Sequence, residues 1–206
     1  MRYKQANILL VSVAVEGFLV GIFLLWAYRR STLGQSTPSA LSLATGPTGL
    51  ELLLGLGYCL PLFAVNFLLF GPLSQRVAFL RSCYEFKDRV VRPLAAELDY
   101  RTGLVVAICA GFGEELFFRG VLQTELGIVC ASVLFSLMHF GPAVLKFRLV
   151  ASIYLIIGFY FGWIYAITDS LWVVIVTHAA YDYAALLYMR YLYCAHEFSE
   201  ISPAVR

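Results

Sequence analysis

Gly111-Phe112-Gly113-Glu114-Glu115-Leu116-Phe117-Phe118-Arg119 sets three charged residues inside an apolar stretch running from about Thr102 to about Leu126. The stretch is long enough to cross a bilayer core, which takes about 20 residues of helix. Near the centre of that core a carboxylate costs about 2.5 to 3.5 kcal/mol on insertion scales, so each one demands a partner or a task. A soluble globule is excluded by the rest of the chain. Of 206 residues, 61% are hydrophobic, 16% aromatic and only 14% charged, with a mean hydropathy of +0.80. A soluble domain needs about a quarter of its residues charged to clothe its surface.

Working outward, apolar stretches recur at about Asn7 to Ala27, Leu50 to Phe70, Gly127 to Phe140, Leu149 to Ile167 and Leu171 to Tyr191. The first is too long for a signal-peptide core and lacks a small-residue cleavage site, so it reads as a retained span. Pro61 in the second is tolerated where neighbouring helices satisfy the freed backbone groups. The stretch from Gly127 is short, as a tilted or partial span would be. With the Thr102 stretch, six membrane helices are expected. The fold class is all-α, a polytopic transmembrane bundle.

Between Gln75 and Tyr100, Arg76, Arg81, Lys87, Arg89 and Arg92 alternate with Val77, Phe79, Leu80, Phe86, Val90, Val91 and Leu94 at roughly helical spacing, which predicts an interfacial amphipathic helix. If the N-terminus is cytoplasmic, twelve Lys and Arg fall on inner segments and two, Arg29 and Arg30, on outer ones. That asymmetry places both termini inside, with Ser31 to Gly49 an external loop. The expected organisation is 1–100 for N-terminal membrane helices, loop and amphipathic segment, 101–192 for a site-bearing bundle and 193–206 for a tail. A net charge of +2 with no basic run excludes a nucleic-acid partner. Five cysteines without a C-x-x-C pair indicate neither a disulfide framework nor a zinc ribbon.

Glu115 and Arg119 are four apart on one helical face and can pair. Glu114 points about 100° round from Glu115, which leaves it without a counter-charge of its own and suits it to accept a proton. Two later stretches bring Phe135-Ser136-Leu137-Met138-His139 and His178-Ala179-Ala180-Tyr181-Asp182. At about 1.5 Å of rise per residue, Glu114, His139, His178 and Asp182 all fall within about two turns of one level. Helices of alternating direction would therefore carry them to one buried polar layer. Two carboxylates with two imidazoles supply a base for water, donors for an oxyanion and an orienting acid, the parts of acyl-bond hydrolysis. Ser136 and Cys109 lack the base-and-orienter pairing of an activated nucleophile. Glu16, in the first stretch, has no motif around it.

In that order and spacing, Glu114-Glu115-x-x-x-Arg119, Phe135-x-x-x-His139 and His178-x-x-x-Asp182 resemble the CPBP family of intramembrane proteases, which includes type II CAAX prenyl endopeptidases and bacterial Abi relatives. The resemblance covers about Arg101 to Tyr188. It implies Glu114 as the general base activating water, assisted by His139; Glu115 locked by Arg119 to position the site; and His178 with residue 182 stabilising the oxyanion. The family often carries Asn where this chain has Asp182. An ionised Asp cannot donate a hydrogen bond, so Asp182 is either protonated or orients His178.

The resemblance implies an intramembrane endopeptidase of the bacterial inner membrane. It would act on a membrane-associated protein or peptide at a CAAX-type, leader or C-terminal sorting signal. The partners expected are that substrate and the lipid bilayer, and the sequence carries no signal for an oligomeric state. No cofactor is expected, since a Glu/His-activated water needs no ion and H-E-x-x-H is lacking, although Glu114, His139 and His178 are residue types that bind zinc. A proton-coupled transporter using the same residues, or a non-catalytic membrane scaffold or immunity protein, are the other classes open to this sequence.

Overall fold

A computed structural model of the chain describes residues 2–37, 43, 45–71 and 73–201. Among these the backbone is helical almost throughout, with no strand. Helix α1 spans Arg2–Thr32 and α2 Gly49–Phe70, the latter started by a capping box between Thr48 and Glu51. Short helices α3 (Leu73–Arg76), α4 (Arg81–Phe86) and α5 (Arg92–Glu97) follow, and then α6 (Tyr100–Glu115), α7 (Thr124–Phe140), α8 (Arg148–Thr168) and α9 (Leu171–Ile201).

Among the described residues, five helical segments are long and apolar enough to cross a membrane. Large side chains such as Leu25, Leu53 and Leu60 stand exposed on their outer faces, as lipid contact requires and water would not tolerate. The protein is an integral membrane protein. Tyr100–Phe140 counts as one segment of 41 residues, whereas the sequence divides it in two at Gly127. As a straight helix it would reach about 60 Å, twice a bilayer core. The backbone breaks at Gly127, with φ 82° and ψ 167°, a conformation essentially confined to glycine. The expected third and fourth helices are thus two arms of one broken segment.

The expected amphipathic helix over Gln75 to Tyr100 is not one helix. It is a series of turns: α3, a 3₁₀ turn at Ala78–Leu80, α4, a π turn at Lys87–Val91, and α5 with Pro93 in its first turn. Leu80, Cys83, Ala95 and Leu98 are buried while Arg81 and Arg89 are exposed, so an apolar face still meets the bundle. Lys87 departs from the expected basic face. It is buried with Nζ 4.9 Å from the centre of the Tyr84 ring, and burial pushes its ammonium below the usual lysine range. Asp99 then caps α6, accepting from the Thr102 N–H at 2.8 Å, a bond that holds its carboxyl below its ordinary range.

In lipid, helices associate through small residues that let backbones approach. Thr177 Oγ1 donates to the Gly55 carbonyl at 3.1 Å, joining α2 to α9, and Ser136 Oγ donates to the Ala151 carbonyl at 2.8 Å, joining α7 to α8. Gly111 lets α6 rest on α9: a Cβ there would lie 2.8 Å from Ala179 N and 2.9 Å from the Ile175 carbonyl oxygen. These are backbone atoms and cannot yield without parting the helices. Gly111→Ala is therefore expected to cost about 1 to 3 kcal/mol by overpacking, seen as a lower unfolding midpoint in detergent.

Part of the Ser31 to Gly49 loop, residues 38–42 and 44, lies outside the described residues, as do 202–206 of the expected tail. The rest of that tail continues α9 as helix to Ile201. Cys59, Cys83, Cys109 and Cys130 are unpaired thiols.

Candidate active site

Glu115 ends α6, and the chain continues from Leu116 to Gln123 as a π-helix, a wider coil often found at functional sites. The pairing expected at four-residue spacing forms there. Arg119 Nε donates to Glu115 Oε2 at 3.1 Å, and both side chains are fully buried. The guanidinium also bonds Gln123 Oε1 at 3.4 Å, and Gln123 Nε2 donates to the Gly162 carbonyl of α8 at 2.9 Å. The other oxygen of Glu115 accepts from His178 Nδ1 at 2.7 Å, and His178 Nε2 stands 3.4 Å from Asp182 Oδ2. A continuous polar line thus crosses the apolar interior from α8 to α9. His178 is only 3% exposed and stacks on Phe161 at 4.8 Å between ring centres.

Glu114 has no share in this line. Its Oε2 stands 3.6 Å from His139 Nε2 and makes no hydrogen bond among the described residues. His139, in the last turn of α7, bonds through Nδ1 to the Phe135 carbonyl at 2.8 Å. A carbonyl only accepts, so Nδ1 carries a hydrogen and, in the neutral ring, the lone pair is on Nε2, toward Glu114. At 3.6 Å the contact is too long for a direct hydrogen bond and suits a water bridging both groups.

His139, His178 and Asp182 line a cavity of about 270 Å³. Its other walls come from Val106 and Ala107 of α6, Leu186 and Met189 of α9, and Phe86, Val91 and Leu98 of the segment before α6. The cavity therefore extends from the polar layer toward the end of the bundle that carries the basic segment. Glu114 is not in its wall; it reaches the cavity through His139. All six residues singled out in the sequence thus fall into two linked groups, Glu114 with His139 and Arg119-Glu115-His178-Asp182.

Three other side chains belong to this region and carry no motif. Glu16 of α1 is 8% exposed, and a Cβ on Gly113 would lie 2.5 Å from its Oε2, so it packs on the turn that carries Glu114. Tyr154 of α8 sits 5.0 Å from His139, ring to ring. Asn66 of α2 donates to Tyr181 Oη at 3.1 Å in the cavity wall. A polar residue inside an apolar stretch was the signal available for Glu16 and Asn66; nothing marked Tyr154 among so many aromatics.

No group of three or more His, Cys, Asp or Glu side chains among the described residues is placed to hold a metal ion. His178 has a carboxylate at each nitrogen. Glu114, His139 and His178 do not form such a group.

Residues 97–184 match the model of the family described as type II CAAX prenyl endopeptidase Rce1-like. The chain is similar to the uncharacterized protein YpbD of Bacillus subtilis (strain 168), 33% identical over 81 residues, which are 38% of this chain and 41% of that protein. The chain thus spans less than half the length of the curated relative it matches. No solved structure matches it.

Proposed function

With the match of residues 97–184 to the type II CAAX prenyl endopeptidase Rce1-like family as premise, we propose that the chain is an intramembrane endopeptidase cleaving a peptide bond in a membrane-associated protein. The observation that carries the reading is Glu114 Oε2 at 3.6 Å from His139 Nε2, beside the cavity.

A water hydrogen-bonded to both groups gives up a proton to Glu114 as its oxygen attacks the scissile carbonyl. His139, its ring fixed by the Phe135 carbonyl, aligns that water through Nε2. When the tetrahedral intermediate collapses and the C–N bond breaks, Glu114 returns the proton to the leaving amine. Glu115, clamped by Arg119, fixes the His178 ring through Nδ1. Asp182, 3.4 Å from Nε2, orients the same ring. No step calls for a metal. The catalytic unit is 101–192, with 1–100 enclosing it and 193–206 as a tail. The basic segment faces the cytoplasm of a bacterial inner membrane, and the substrate enters from that side, because the cavity leads there. CAAX-type, leader and C-terminal sorting signals are the substrate classes.

The test is to co-express the wild type, or Glu114→Ala, with candidate substrates from the same genome and map protein termini by mass spectrometry. New termini are expected with the wild type alone. Identical termini in both, across the membrane proteome, would remove the reading.

A further inference from the structure

Peptide hydrolysis puts negative charge on the carbonyl oxygen, and that charge needs hydrogen-bond donors aimed at it. The residues assigned so far are poor in them. Both nitrogens of His178 face carboxylates, at 2.7 Å and 3.4 Å, and an ionised Asp182 offers acceptors only. His139 spends Nδ1–H on a backbone carbonyl.

Asn66 and Tyr181 line the same cavity as those three. Asn66 is 6% exposed, its Nδ2 lies 3.1 Å from Tyr181 Oη, and its Oδ1 makes no hydrogen bond among the described residues. An amide carries two N–H donors and a phenol one O–H. Their mutual bond uses a single donor whichever way the amide is turned. With Nδ2 donating, the phenol hydrogen and the second amide hydrogen are unspent; with the amide reversed, both amide hydrogens are. Two donors thus remain at the cavity wall in either arrangement, one from each residue when Nδ2 donates, as the contact has it. Tyr181 directly precedes Asp182 and lies three residues after His178, so its phenol leaves α9 on the turn that already carries two site residues.

We propose that Asn66 and Tyr181 are the donor pair that grips the scissile carbonyl oxygen, the role that an acceptor-only Asp182 leaves open. The inference rests on the peptidase reading. A merely structural role, a tie between α2 and α9, would act on folding rather than on turnover.

The experiment measures steady-state cleavage of an internally quenched peptide ending in a farnesylated CAAX tetrapeptide, with the full chain in lipid nanodiscs. Tyr181→Phe, which keeps the ring, is expected to lower kcat about 10²-fold, the scale of one lost oxyanion donor, and Tyr181→Phe with Asn66→Leu to lower it further, by at least about 10³-fold. KM of Tyr181→Phe should stay at the wild-type value, while its unfolding midpoint falls somewhat because Asn66 Nδ2 loses its acceptor. An unchanged kcat in the double variant, a loss carried by KM, or a Tyr181→Phe loss that only follows the unfolded fraction at the assay temperature overturns the donor pair alone. A wild type that leaves both this peptide and every co-expressed membrane protein intact overturns the peptidase reading, and the inference with it.

Discussion

Glu114→Gln is expected to lower peptide cleavage at least about 10³-fold, His139→Gln to do nearly the same, and the double variant to be little worse than either alone. General-base contributions run from about 10² to 10⁴. Groups that act as a unit show this lack of additivity, because the second substitution finds nothing left to remove. The geometry makes them a unit: Glu114 Oε2 and His139 Nε2 are 3.6 Å apart and would bind one water. Folding should move the other way. Glu114 Oε2 is buried without a hydrogen-bond partner, and a neutral amide in its place avoids the cost of a carboxylate in that setting. The unfolding midpoint of Glu114→Gln should therefore hold or rise while cleavage is lost. Additive losses in the double variant would separate the two residues, and a falling midpoint would give Glu114 a structural role.

What the sequence disclosed followed from local rules, and what it hid depended on distant neighbours. Glu115 with Arg119 needs only helical spacing and the cost of charge in lipid, and the two pair at 3.1 Å. Gly127 marked a boundary because glycine alone adopts φ 82° with ψ 167° freely. That Glu114 turns to His139 while Glu115 turns to His178 follows from an angle of about 100° between successive side chains, given helices on both sides. The break-up of the amphipathic segment was not legible, because helical periodicity survives the 3₁₀ and π turns that interrupt it. Burial of Lys87 was hidden for the same reason, since a lysine at that spacing also reads as part of a solvated face. Glu16 and Asn66 gain meaning only across Gly113 and Tyr181, and one chain's spacing does not reveal which helices are neighbours.

Arg119→Met is expected to cost stability on a scale few single substitutions reach. Removing one partner of a buried ion pair costs about 3 to 5 kcal/mol, because the other charge is left without compensation. Glu115 and Arg119 are both fully buried, and Glu115 also holds His178 at 2.7 Å. Without the guanidinium, Glu115 Oε2 loses its donor and Gln123 loses one of its two partners. The unfolding midpoint in detergent should drop sharply. Removing both charges tests whether the cost is that of an orphaned ion: Arg119→Met with Glu115→Gln should regain most of the midpoint, because a neutral amide tolerates apolar surroundings better than a lone carboxylate. Cleavage should not return with it. The amide oxygen introduced by Glu115→Gln can still accept from Nδ1 of His178, but it no longer offers the charge that holds the ring by a charge-assisted bond. A double variant no more stable than Arg119→Met would show that Arg119 supports the fold by its packing against Phe135, 5.5 Å from the ring centre, rather than by its charge.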